Sequence, residues 1–497
     1  MFALLKQRFR PWLVRSILAV ICLYLLLLIP EDIPPPPKNP GGQSFAWRRD
    51  AFWSDLERKL REARKWGHAE RLIRFDQSLK QLQAALDRLA VTNLPPTAPL
   101  LDDLENQFFQ LAPIAAVCPE RLPPFTGAAA QISQLVKRQS EHWSMDSAEA
   151  RTRLYRLLYG GRAAVEEATL QSPGATNALA LNPQAQSVAT PGIVVHGVEI
   201  HSGDILLSRG GAATSALIAR GNDFPGNFSH VALVHVDAST KQISVIEAHI
   251  EKGVTVSSIE KYLSDIKLRI MVLRLRTDLP QLADDPMLPH RAATLAISNA
   301  LAHHIPYDFE MNYADPAKQF CSEVASTVYR ALGIRLWMGL SHLSTPGVTG
   351  WLSALGVRHF ETEEPSDLEY DPQLRVVAEW RDPETLYKDH ADNAVIDVML
   401  EGAERGETLT YNRWLLPFVR LAKAWSIALN LMGRIGPVPE GMSATTALRV
   451  QRLKSEHAFL KQRLLNMAAR FKAVNGYMPP YWELVRLARQ AKDGNPF

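Results

Sequence analysis

The chain is poor in cysteine, with three among 497 residues: Cys22, Cys118 and Cys321. So few exclude a disulfide-built scaffold. Neither HExxH nor a Cys-x-x-Cys pair occurs, so the 14 histidines lack a metal-site spacing and no metal is expected. The G-x-S-x-G elbow, the P-loop and GxGxxG are missing too, which removes the common serine-hydrolase and nucleotide-binding readings and leaves no cofactor to place. Charge of one sign is also scarce. The net charge of +3, from 55 basic and 52 acidic residues, gives no footprint of nucleic-acid binding. Long apolar runs are rare, and the one at residues 16–30, SILAVICLYLLLLIP, holds about fourteen apolar residues against the ~20 that span a bilayer comfortably.

What precedes that run is basic: MFALLKQRFRPWLVR carries Lys6, Arg8, Arg10 and Arg15. A basic flank before an apolar helix reads as a signal anchor, provided that Trp12 to Val14 join the span and Arg15 snorkels. A cleaved signal peptide is the alternative. No small-x-small cleavage site precedes IPPPPKNPGG, and Ile21 makes AVIC a poor lipoprotein box, so the anchor is favoured. The positive-inside rule then predicts a single-pass protein of a bacterial inner membrane, attached through its N-terminal helix, with most of the chain in the periplasm. There only Cys118 and Cys321 remain to pair, and an unpaired thiol needs a reason.

Texture divides the chain. Residues 1–32 read as tail and anchor, and 33–44 as a proline-rich linker. Residues 45–171 are helical in pattern, with Leu72, Phe75, Leu79, Leu82, Leu86 and Leu89 three and four apart, and proline clusters at Pro95, Pro96, Pro119, Pro123 and Pro124. The spacing predicts a bundle or coiled coil, packed within one chain or across a homo-oligomer. Residues 172–192 lack charge and aromatics and read as a flexible linker. From 193 to 390 short β-branched runs appear: GDILLSR, HVALVHV, ISVIEAHI and IMVLRLR. With helices at 289–304 and 321–332 they predict an α+β domain with an antiparallel sheet, DASTKQ closing one hairpin. Residues 391–497 return to helix, and Arg413, Arg420, Lys423 and Arg434 lie near one stripe of an otherwise apolar stretch. Such a stretch suits an anionic membrane surface or a packed helix with a basic edge.

The sharpest chemical feature is FCSEVASTVYRALG, where Cys321 opens a predicted helix. A thiolate is favoured at a helix N-terminus near a histidine. His230, at the start of HVALVHV beside the loop RGNDFPGNFS, is the first candidate base. Glu247 interrupts the apolar run ISVIEAHI on the strand expected to pair with it. A carboxylate there needs a partner, and an imidazole suits. Cys321, His230 and Glu247 thus form a possible nucleophile, base and orienting set. His249 shares the face of Glu247 and is a rival base, whereas alternation places His235 opposite His230.

The order of GDILLS, SHVALV, IEA, PYDF and FCSEV resembles the permuted NlpC/p60-like cysteine hydrolases, and within them the YaeF/YiiX branch of permuted papain-like amidases. The resemblance covers about residues 195–360. It implies a circularly permuted papain-like fold, flanked here by N- and C-terminal helical regions, with Cys321 as nucleophile, His230 as base and Glu247 as third residue. It also implies an acyl-enzyme and no cofactor. Tyr307, Asp308, Asp204 and Ser229, which lie in those blocks, are secondary pocket candidates. The expected substrate is an amide or peptide of the cell envelope, such as a cell-wall peptide. An acyl-lipid hydrolase or acyltransferase, and a non-catalytic envelope scaffold, are the alternatives.

Overall fold

The computed structural model describes residues 2–31, 35–37, 41–172, 178–181 and 188–494. The chain opens with helix α1 (Phe2–Leu27) and then forms six more: α2 (Asp50–Ala63), α3 (His68–Ala90), α4 (Pro99–Ala115), α5 (Leu122–Ser140), α6 (Ala148–Leu154) and α7 (Gly160–Gln171). Pro99 starts α4 with its φ already helical, and Ser147 caps α6 by accepting from the Ala150 N–H. Of the seam in α3, Phe75, Leu82, Leu86 and Leu89 are buried with Phe108 and Phe125 in the core of this bundle. The heptad pattern is therefore used inside the chain, against α4 and α5.

The central domain runs β1 (Ala178–Leu181), β2 (Gly192–Val195), β3 (Val198–His201), β4 (Ile205–Gly210), α8 (Ala213–Arg220), β5 (His230–Val236), β6 (Ile243–His249), β7 (Gly253–Ser258), α9 (Ile259–Ser264), β8 (Lys267–Leu275), α10 (Pro280–Asp284), α11 (Leu288–Ala302), α12 (Glu323–Ala331), β9 (Ser341–His342), α13 (Pro346–Leu355), β10 (Glu361–Thr362) and β11 (Leu374–Arg381). Seven strands make one antiparallel sheet in the order β1-β11-β8-β4-β5-β6-β7. Its central strands are buried on both faces. Val231, Leu233 and Ile246 pack under α11 and α12, whereas Ala232, Val234 and Val245 pack with Ile259 and Tyr262 of α9. Four more helices follow: α14 (Pro383–Glu404), α15 (Leu416–Asn430), α16 (Ala444–Asn475) and α17 (Tyr481–Asp493).

Three expectations change. Residues 1–32 do not carry a membrane-spanning anchor: among the described residues, no helix is long and apolar enough to cross a membrane. Basic residues occupy the first half of α1 and leave too short an apolar run, so the single-pass inner-membrane placement is corrected. Within residues 172–192, Ala178–Leu181 is an edge strand on β11, because main-chain pairing orders a segment that has little to bury. Residues 173–177 and 182–187 of that stretch lie outside the described residues. Finally, α14 runs through residue 390 without a break.

Candidate active site

The β5–β6 register sets the first half of the site. Asp237 turns the hairpin, its Oδ1 accepting from the Ser239 and Thr240 N–H groups. Ala232 then lies opposite Glu247, so Glu247 shares a face with Ala232 and His230. His230 Nε2 is 2.8 Å from Glu247 Oε2, and His249 Nε2 is 3.1 Å from Oε1. One buried carboxylate therefore holds both imidazoles, whose rings are 6.0 Å apart. Burial alone would raise the Glu247 carboxyl, but its hydrogen bonds to the two histidines hold it well below the usual range. Burial lowers His230 below the ordinary imidazole value, and Glu247 draws it part of the way back. With Nε2 committed to Glu247, Nδ1 is the nitrogen left to exchange a proton.

Cys321 forms the second half. It sits one residue before Ser322, the N-cap of α12, and that turn is tied by Glu323, whose Oε2 accepts from the Phe320 N–H at 2.8 Å. Val324, Ala325 and Val328 seat α12 on the sheet, bringing the thiol to the start of β5, where Sγ lies 4.0 Å from the Ser229 carbonyl. Among the described residues no hydrogen bond joins Sγ to either imidazole. The two come to the strand end from different sides, Cys321 with α12 and the His230–Glu247 pair with α9. The sequence expectation of a depressed thiol is also corrected. Burial pushes Cys321 up to about 12, outweighing the N–H groups of Val231 and Ser322 that favour the thiolate. Cys118 is likewise free and buried, so no disulfide joins the two.

The secondary candidates divide. Tyr307 pairs through its main chain with Gln319, two residues before Cys321. Ser229 offers its carbonyl to the thiol, while its hydroxyl is buried without a partner. Asp308 is a turn residue, accepting from the Glu310 and Asn312 N–H groups at 2.9 and 2.6 Å. Asp204 is structural as well, forked by Arg274 at 2.7 Å through both oxygens. Its neighbour Gly203 has φ +95°, and a Cβ there would come within 2.3 Å of Pro289. The Gly-Asp pair thus serves the entry into β4 rather than the site. His235 stacks on His290 of α11, on the other face from His230.

A feature that sequence reasoning missed is the acidic run 361–369. Glu364 is buried, its Oε2 has no partner, and burial raises it to about 8. Its charge in turn disfavours the Cys321 thiolate. Burial likewise raises Glu323 to about 9 and Glu363 to about 7. Consecutive acids in ETEEPSDLEY read as a solvated loop, and only their density, beside residues as apolar as Leu368 and Tyr370, hints at burial.

Residues 199–378 match the family described as permuted papain-like amidase enzyme, YaeF/YiiX, C92 family. Comparison with curated proteins and with solved structures returned no match. Strands β4 to β8, with the His230–Glu247 pair, and the Cys321 helix fall inside the matched segment. Over residues 199–378 the chain is thus similar to the permuted papain-like amidases, and the match supports a cysteine hydrolase.

Proposed function

We propose that Cys321 is the nucleophile, His230 the general base and Glu247 the residue that orients it, in a hydrolase acting on an amide or peptide bond. The observation that carries this reading is the buried 2.8 Å pair between His230 and Glu247, at the strand end where the Cys321 thiol docks. Glu247 fixes the Nε2–H tautomer and leaves Nδ1 basic. A raised thiol and a lowered imidazole make the resting pair neutral, so this reading requires the His230 ring to turn round the strand end towards Sγ and take its proton at Nδ1 as the sulfur attacks the carbonyl carbon. The N–H groups of Cys321 and Ser322, before the first turn of α12, are the donors this reading assigns to the developing oxyanion. The amine leaves with the proton from His230. Water, activated by the same nitrogen, then releases the acid and restores the thiol.

A cell-wall peptide loses its premise together with the spanning helix, and the class of amide stands without it. An acyl-lipid substrate is the second reading. It is favoured by a cavity of about 380 Å³ lined by both Tyr307 and Glu31, the latter at the end of the apolar N-terminal segment. A panel of peptide amides and acyl esters, assayed for released amine or alcohol with the wild type and Cys321→Ala, separates the two. Turnover that persists in a folded Cys321→Ala protein would sink both.

A further inference from the structure

We infer that α1 and α15 together form an insertion face for one leaflet of an anionic lipid bilayer. Of 26 large apolar side chains exposed among the described residues, nine lie in residues 14–29 and nine in residues 414–435. Soluble surfaces scatter such residues, and a contiguous patch of this kind marks something that covers it. The two segments are joined into one body. Tyr24 Oη donates to the Trp414 carbonyl at 3.0 Å, Arg420 donates to the carbonyls of Leu27 and Ile29 at 2.9 and 2.7 Å, and the Tyr24 and Phe418 rings meet edge to face.

Three observations commit the face to lipid. First, α1 beyond Arg15 is apolar around its circumference: Ile17, Leu18, Val20, Ile21, Leu23, Leu25 and Leu26 are all exposed, and a helix of that kind is stable only when surrounded. A protein partner with one apolar face covers one side, whereas acyl chains cover all of them. Second, the stretch from Ser16 to Leu28 is about 20 Å long at ~1.5 Å per residue. That is short of the ~30 Å hydrocarbon core but sufficient for one leaflet, so insertion needs no span. Third, the charges suit an anionic surface. Residues 1–30 and 408–439 contain no acidic residue, and Arg15, Arg413 and Arg434 are exposed. Trp414 and Trp425 are exposed as well, the residue type that settles at the headgroup level.

The face adjoins the Tyr307 cavity, which is lined by Glu31 from the end of the N-terminal segment and by Glu440, whose carbonyl, with that of Pro439, accepts from Lys423 of α15. A chain seated this way opens that cavity beside the lipid.

The test is flotation of the full-length chain with phosphatidylcholine vesicles, plain or containing about 30 % phosphatidylglycerol. The wild type should float with the anionic vesicles, less so at high salt, and stay behind with the neutral ones. Leu421→Glu/Trp425→Glu and Leu18→Glu/Ile21→Glu should each cut binding by at least about tenfold with an unchanged melting temperature, because all four side chains are exposed. Light scattering without lipid supplies the second readout. Absence of flotation, equal binding to neutral vesicles, or a dimer that both variants return to monomer would overturn the inference, the last by assigning the face to a second copy of the chain.

Discussion

Two buried clusters of ionisable groups lie against the same sheet, and they are built to opposite rules. In one, Arg269 of β8 is clasped by Glu166 of α7 and Asp389 of α14, with Arg209 of β4 3.1 Å from Asp389 and His390 3.0 Å from Glu166. Every charge there meets an opposite one. Burial is outweighed by Arg269 in depressing Glu166, and by Glu166 and Glu167 in raising His390. The cluster fastens the N-terminal bundle, the sheet and the C-terminal helices to one another. In the other, one carboxylate serves two imidazoles, the thiol has no charged partner, and Glu364 keeps an oxygen without a hydrogen bond. The first cluster is matched charge for charge and suited to hold, even with Arg209 Nε and Asp389 Oδ1 short of hydrogen bonds; the second keeps a thiol and a carboxyl without charged partners and suits chemistry.

The contrast is broken most sharply at Cys321. Cys321→Ala should reduce turnover to background while leaving the urea midpoint where it was, since a small side chain at a helix approach carries little of the core. Arg269→Met should do the reverse. It removes the cation shared by Glu166 and Asp389, leaving these buried carboxylates to His390 and Arg209 alone, and should cost about 3–5 kcal/mol in urea unfolding, with residual enzyme retaining its kcat. Glu247→Gln lies between them, with an expected loss of about 10²–10⁴ in kcat through a misplaced imidazole tautomer. Its pH profile gives the sign. Because Glu247 favours the imidazolium of His230, removing the carboxylate lowers that pKa further, and the acidic limb of kcat/KM should move to lower pH. The limb of the wild type should itself lie below the ordinary imidazole value, since burial lowers His230. The smallest effect is expected for His249→Asn, which keeps a polar group beside Oε1 and should change kcat by less than about tenfold. A larger loss there would exchange the roles of the two histidines.

Much of the central sheet was legible because its strands announce themselves locally. HVALVHV and ISVIEAHI are β5 and β6, and Asp237 closes their hairpin as a turn residue should. The His230–Glu247 pair follows from that register and from the cost of an acid in an apolar strand. What was not legible depends on distant partners. LRVVAEWR gives no clear period because Glu379 and Arg381 are buried, and main-chain pairing with β8 and β1 makes a strand of it. The clasp of Arg209, Arg269, Glu166 and Asp389 joins residues up to 223 positions apart between Glu166 and Asp389, and no spacing rule reaches that far. The N-terminal helix was read by its apolar run, while its basic first half decides that it does not cross a membrane. Thiol chemistry was misjudged for a physical reason too: position near a helix start was visible, but the burial that opposes ionisation was not.

The central claim is that Cys321 attacks by giving its proton to His230. The most direct measurement is mass spectrometry of the intact chain and its peptides after brief exposure to an activated acetyl ester at neutral pH, comparing wild type with His230→Ala and using buried Cys118 as the internal control. The account predicts an acetyl adduct on Cys321 and none on Cys118, with the adduct lost in His230→Ala. Equal labelling of the two cysteines, or labelling of Cys321 that survives the loss of His230, would contradict it.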